Sequence, residues 1–199
     1  MPPEPIRKFI SRFSSLPSIG PRQAARLAFQ LISRGREEIK EIADTVAGLQ
    51  KIGVCGRCFF IHENENGLCG ICSDSGRKAG VIAIVEKETD LLSLERTGEF
   101  SGRYLVLGRL DKGGLFENAQ KGRLQSLVKI IKKELGGSAD EIVIAVSPTT
   151  VGDLNASVIA KELRPYAKKI SRLGRGLPTG GEIEFADEET LGEALKNRN

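Results

Sequence analysis

The sequence predicts an α/β protein in several parts: a helical N-terminal lobe, a four-cysteine knot, a parallel α/β domain and a short strand–helix tail. Three observations carry that prediction. Apolar residues recur with a helical period over the first fifty residues. The four cysteines of the chain fall as two Cys-x-x-Cys pairs, Cys55/Cys58 and Cys69/Cys72, separated by ten residues. From Val81 onward, short apolar runs alternate with helix-period segments.

Ile6, Phe9, Ile10 and Phe13 fall at i, i+3, i+4 and i+7, so the chain opens on an amphipathic helix. Leu16-Pro17-Ser18-Ile19-Gly20-Pro21 interrupts it. Pro21 suits the first position of a second helix, where its missing N–H would have no partner anyway. That helix is expected to bury Ala24, Leu27, Ala28, Leu31 and Ile32 and to end at Gly35. A third carries Ile39, Ile42, Ala43, Val46 and Leu49 on one face. Three short helices bury little surface, so this lobe needs a neighbour or a second copy of itself.

The segment from Leu16 to Ala25 resembles a helix–hairpin–helix DNA-binding motif. Gly20 lets backbone N–H groups at a helix N-terminus approach a phosphate, where the helix dipole also favours an anion. Arg22 and Arg26 stand one turn apart on the same face. Such a device grips the DNA backbone and reads no sequence. Ser18 replaces the motif's usual first glycine, which is tolerable unless that position needs a positive φ. A hairpin used only for packing or dimerisation is the plainer alternative.

Each cysteine pair can hold one ion from a tight turn. Together the turns supply four thiolates at tetrahedral corners, the ligand set of a closed structural zinc site. Cys55-Gly56-Arg57-Cys58 and Cys69-Gly70-Ile71-Cys72 each place a glycine where the chain is expected to bend toward the metal. Two disulfides would need an oxidising compartment, to which nothing in the sequence points. A redox pair would sit once at a helix start behind a strand, not twice in a loop. Spacing alone leaves an iron–sulfur cluster open. His62, the single histidine, lies between the pairs and is expected to be neither ligand nor catalyst.

Beyond the cysteines, Val81–Val85 reads as a buried strand and Leu91, Leu92 and Leu94 as a helix capped by Thr89 and closed by Gly98. Tyr104–Leu107 is a second strand. Leu124, Leu127, Val128, Ile131 and Leu135 mark a long helix stopped by Gly136-Gly137. Ile142–Val146 is a third strand, a helix near Ala156–Leu163 ends before Pro165, and Lys169–Leu173 is a fourth strand. The alternation predicts a parallel sheet covered on both faces. Glu182 to Asn199 reads as a short strand and a terminal helix with Asp187 as its N-cap. The expected divisions are 1–53, 54–78, 79–178 and 179–199.

The chain has 199 residues, 28% charged and 40% hydrophobic, and its apolar runs are strand-sized. A membrane span needs about 20 apolar residues, and no apolar signal region follows the N-terminus, so a soluble cytoplasmic protein is expected. Net charge is +4, unevenly placed: seven basic residues and one acid up to Arg36 make +6, leaving −2 for the rest. A basic lobe on a near-neutral body is the footprint of a phosphate binder. Aromatics are only 5% of the chain, with no tryptophan, which argues against a stacking platform for single-stranded bases.

Glu86 follows the first strand of the α/β domain at the active edge of a parallel sheet. That placement resembles a Toprim domain, whose first-strand glutamate works with an Asp-x-Asp after a later strand to hold magnesium. Here the later strand runs into Ser147-Pro148-Thr149-Thr150-Val151-Gly152-Asp153 without an Asp-x-Asp. Glu86 and Asp153 alone make a poor magnesium cage, so the fold is expected without its chemistry. Gly174 to Gly181 lacks the lysine of a phosphate-binding P-loop and reads as a turn or an interface.

The order of these parts, the run from Glu86 through Glu95-Arg96-Thr97-Gly98, and the tail from Ser171 to Glu182 resemble the bacterial recombination mediator family RecR over essentially the whole chain. The resemblance implies a non-enzymatic DNA clamp in recombinational repair. It implies rings of four subunits, pairing with RecO or RecF, and help in loading RecA onto single-stranded DNA. It implies zinc at Cys55, Cys58, Cys69 and Cys72, DNA contact at Gly20, Arg22 and Arg26, and partner contact at Glu86, Asp90 and Asp153. Two departures stand out: Val151 replaces a usual glutamate, and the loop 109–114 differs from the family's Ser-Pro-Leu-Asp-Gly. The alternatives are a magnesium-dependent Toprim nuclease or primase-like enzyme, and a plain zinc-stabilised DNA-binding module.

Overall fold

The computed structural model describes residues 2–64, 66–110, 114–196 and 198. The chain forms two compact units, Met1–Ile52 and Gly53–Asn199. The first contains α1 (Glu4–Phe13), α2 (Pro21–Arg34) and α3 (Arg36–Gly48), followed by a 3-10 turn. Pro21 opens α2 as expected, and Gly35, at φ 97°, separates α2 from α3. α1 packs on α2, and the Phe9 and Phe13 rings stack at 3.9 Å. Among the described residues of this unit only Ala24 and Ala28 are buried. The expected burial of Leu27, Leu31 and Ile32 is therefore corrected: the leucines are half-buried and Ile32 is exposed. Three helices of this length have no further layer to close over them.

The second unit opens with a small antiparallel pair, β1 (Gly53–Val54) and β2 (Ile61–His62), and a one-turn helix, α4 (Gly70–Ser73). Then follow β3 (Lys78–Val85), α5 (Glu88–Glu95), β4 (Gly102–Val106), α6 (Asn118–Glu134), β5 (Ala139–Ala145), α7 (Thr150–Leu163) and β6 (Ala167–Arg172). The four long strands form one parallel sheet in the order β4-β3-β5-β6. The chain crosses β3 between β4 and β5, so strand order reverses between β3 and β5. Open parallel sheets place their sites at that point, at the carboxyl ends of the strands.

Alternation along the strands divides the core in two. Ile82, Ile84, Leu105, Ile142 and Ile144 face Leu124, Leu127 and Ile131 of α6 and Ile159 and Leu163 of α7. Ala83, Val85, Tyr104 and Val106 face Leu91 of α5, with Phe60 and Ile71 of the cysteine region packed beside them. Gly136 and Gly137, at φ 64° and 96°, end α6 where the sequence predicts.

Two local expectations are corrected. Thr89 lies inside α5 and does not cap it; instead the Lys87 N–H donates to Asp90 Oδ2 at 3.0 Å. The tail segment expected to run as a strand makes a 3-10 turn, Ile183–Phe185, before α8 (Glu188–Lys196). A strand needs a neighbouring backbone to bond with, and among the described residues no strand pairs with 182–186. Asp187 does cap α8, accepting the Thr190 N–H at 2.8 Å. No described helix is long and apolar enough to cross a membrane.

Candidate metal centre, nucleic-acid interface and sheet-edge acids

Cys55 follows β1, Cys69 is the N-cap of α4, and Cys72 lies within α4. With Cys58 they form a buried group whose sulfur atoms all lie within 4.8 Å of one another. Cys58 Sγ and Cys69 Sγ are 3.5 Å apart, and all four cysteines are free. A disulfide would need about 2.05 Å. A tetrahedron with Zn–S bonds of about 2.3 Å has edges of about 3.8 Å, close to the spacing here. Burial pushes the Cys69 thiol up to about 11, while hydrogen bonds from its neighbours, Cys58 first, hold Cys72 down at about 6. Four buried sulfurs this close fit a shared cation, because thiolates without one would repel each other in a low dielectric. His62 stands outside the group, its Nδ1 accepting the Asn64 N–H at 3.0 Å.

The glycines of the two pairs are not the residues with unusual backbone. Gly56 and Gly70 lack a positive φ; Phe59, just past Cys58, has one at 63°. A left-handed residue with a side chain costs about 1–2 kcal/mol. Packing offsets it here: the Phe59 ring meets both halves of the sheet core and lies under the Arg123 guanidinium at 4.9 Å. The knot is also tied to the sheet edge. Cys58 O accepts the Val106 N–H at 2.8 Å, Val106 O accepts from Arg123 Nη1 at 2.9 Å, and Arg57 pairs with Glu134 of α6 at 2.7 Å.

In the helical unit, the connection between α1 and α2 contains a four-residue turn closed by Ile19 N–H to Leu16 O at 3.2 Å. Pro17 suits its second position. Ser18 holds the third at φ 64°, which favours glycine. The condition under which serine would be tolerable is therefore not met, and the turn is strained. Ser18→Gly should stabilise this unit by about 0.5–1 kcal/mol, strain relief outweighing glycine's greater freedom in the unfolded chain. A rise in the midpoint of its thermal unfolding checks this; a fall overturns it.

Gly20 is the N-cap of α2, and no side chain caps the N-terminus. Pro21 has no N–H and the Ala24 N–H bonds Gly20 O, so the Arg22 and Gln23 N–H groups are the open donors. A Cβ at Gly20 would meet nothing within 4 Å, so glycine here leaves the helix end uncovered. Arg22 and Arg26 are exposed, and neither makes an ion pair among the described residues. Beside α1 and α2 an apolar groove of about 210 Å³ is lined by Ile6, Phe9, Leu31, Ile32 and Ile39.

Glu86, Asp90 and Asp153 all lie at the carboxyl edge of the sheet, behind β3, on α5 and on the first turn of α7. The structure gives them separate tasks. Glu86 Oε1 accepts the Leu110 N–H at 3.3 Å, tying down the loop after β4. Asn155 and Gln120 hold that loop from two more sides: Asn155 Oδ1 accepts the Gly114 N–H at 2.8 Å, and Gln120 Nε2 donates to Arg109 O. Asp111, Lys112 and Gly113 of the divergent loop lie outside the described residues. Asp90 serves the α5 cap, and Asp153 is held by Arg172 and Arg175. Arg172 first, with Arg175, keeps the Asp153 carboxyl below the usual carboxylate range. Among the described residues only the four cysteines form a group of three or more that could share an ion.

Gly152 is required by packing, since a Cβ there would meet Ser147 O at 2.0 Å. Thr149 caps α7 by accepting the Gly152 N–H at 3.0 Å. The sequence reading misses Gln120, Asn155, Arg172 and Arg175. The first two are legible only as polar residues in otherwise apolar helix faces.

Residues 6–48 match the model of the RecR helix–hairpin–helix, residues 80–174 that of the Toprim domain, and residues 176–199 that of the RecR C-terminal segment. The chain is 36% identical over 197 residues to "Recombination protein RecR" of Herpetosiphon aurantiacus, covering 98% of this chain and 94% of that one. It is 39% identical over 194 residues to the protein of that name from Synechococcus sp. strain CC9605, covering 97% and 98%. Against that of Gloeobacter violaceus it is 34% identical over 195 residues, covering 98% and 96%.

Proposed function

Because this chain belongs to the RecR family of recombination proteins, we propose that it is a non-enzymatic DNA clamp in recombinational repair, pairing with RecO, RecF or both to help load RecA onto single-stranded DNA. The observation that carries the reading is the α2 N-terminus. Open N–H groups at Arg22 and Gln23, a bare Gly20, and the exposed Arg22 and Arg26 side chains make a phosphate grip that reads no base. Cys55, Cys58, Cys69 and Cys72 would hold one zinc ion, which supplies cross-linking and no chemistry in a four-thiolate site.

The working form is an oligomer, a ring of four. Support comes from apolar surface that one chain leaves open at each end: the groove at Ile6, Phe9 and Ile39, and Ile183 and Phe185 in the tail, 68% and 81% exposed. Two different two-fold contacts per chain close into such a ring. Glu86, Asp90 and Asp153 form the partner face, with Glu86 spent on the Leu110 loop rather than on a carboxylate pair.

The test compares purified wild type with Glu86→Ala. DNA affinity should be equal in the two, RecO capture at least about tenfold weaker in the variant, and light scattering should report four chains for both. Magnesium-dependent nicking by the wild type, lost in the variant, would establish the Toprim-enzyme alternative. A monomer at every concentration, with DNA present, would sink the clamp.

A further inference from the structure

Asp153 has a ligand inside its own chain. Its Oδ1 accepts hydrogen bonds from the Nη2 groups of both Arg172 and Arg175. The Nη1 group of Arg175 donates to Glu189 of α8 at 2.5 Å. The two arginines differ in how they are tethered. Arg172 is the last residue of β6 and sits opposite Ile144 in the ladder with β5. Arg175 stands between Gly174 and Gly176. Neither glycine has a positive φ, and a Cβ on either would meet nothing within 4 Å. No turn or close contact demands them. What they supply is backbone freedom on both sides of one arginine. Beside the carboxylate lies an open cleft of about 450 Å³, bounded by Arg172, Leu173, Arg175 and Glu193.

We infer that Arg175 is a built-in competitor at the Asp153 face, occupying the carboxylate until a partner segment bearing arginine displaces it. The inference rests on the reading of Asp153 as part of a partner-binding face. The contact already made there defines the ligand chemistry. A planar guanidinium matches a carboxylate through paired N–H donors, whereas an ammonium offers a strongly hydrated point charge. When Arg175 leaves, Glu189 is also freed to receive a cationic segment, while Glu193 stays paired with Lys196. The exchange is cheap, because the pairs involved are partly exposed and such pairs contribute little each. Arg175 therefore tunes partner affinity and does not block it.

The experiment uses full-length protein and a labelled hexa-arginine peptide, with hexalysine beside it, and reads anisotropy at fixed low salt. Arg175→Gln should bind hexa-arginine about two- to fivefold more tightly than wild type, the range that release of the partly exposed Asp153 pair allows. Arg175→Lys keeps the charge but loses the fork, and should show a smaller gain in the same direction. Lys121→Gln changes net charge equally on the exposed side of α6 and should show no gain. Adding Asp153→Asn to Arg175→Gln should remove most of the gain, leaving only the share of the freed Glu189, and hexalysine should show less of it throughout. Amide exchange over 174–181 should speed up in Arg175→Gln, and in wild type on adding hexa-arginine. Unchanged or weaker binding by Arg175→Gln, or a gain that Asp153→Asn leaves undiminished, overturns the competitor. RecO capture that is indifferent to Asp153→Asn would overturn the partner-face reading instead, and the peptide arms would still decide whether Arg175 competes.

Discussion

Cys69→Ser should release the bound metal and unfold the segment between residues 53 and 78. Wild-type protein should carry one zinc per chain, and chelation should reproduce the variant. The expected effect is the largest here, because the binding free energy of such a site, on the order of 10 kcal/mol, is largely folding free energy. Little else holds the segment together: β1 and β2 have two residues each, and α4 is one turn. The damage should spread. Cys58 O caps the Val106 N–H on the β4 edge, Phe59 fills both halves of the core, and Phe60 and Ile71 cover one sheet face. Metal analysis with limited proteolysis checks this, with cuts expected first in the knot and then near β4. Metal-free wild type of unchanged stability would refute the site, and an iron–sulfur absorption spectrum would replace zinc with a cluster.

Arg22→Glu with Arg26→Glu should nearly abolish DNA binding. The double change reverses two charges at the open N-terminus of α2, where the helix dipole and the free N–H groups of Arg22 and Gln23 favour an anion. Each phosphate contact contributes about −0.9 to the slope of log K against log salt, so the slope should shrink by about 1.8. The loss should be equal for all sequences, since no base edge is read. A fluorescence titration across a salt series measures both quantities. If affinity survives the double reversal, the basic lobe is not the contact face.

Much of this molecule is legible in local pattern. The helical period of Ile6, Phe9, Ile10 and Phe13, the strand run at Val81–Val85 and the stop at Gly136-Gly137 all answer to neighbours a few residues away. So does the four-cysteine group, because paired Cys-x-x-Cys turns constrain their own geometry. The order of these parts is enough to predict the fold class and to point to the family.

Tertiary structure decided what depends on distant partners. Whether Ser18 needs a positive φ is set by how the turn must join α1 to α2, and beside the Cys-x-x-Cys turns it is Phe59, not a glycine, that takes the left-handed conformation, its ring packed against two core faces. Ile32 reads as core but stays exposed, since burial depends on a further layer that its unit lacks. The three edge acids look alike in sequence and act differently in space. Asp90 finds its partner three residues back, Glu86 binds a backbone N–H 24 residues on, and Asp153 meets a guanidinium 22 residues away. Period and spacing report which face a residue occupies. What a carboxylate touches there depends on which other segments the sheet order brings to the same edge, and only the folded chain settles that.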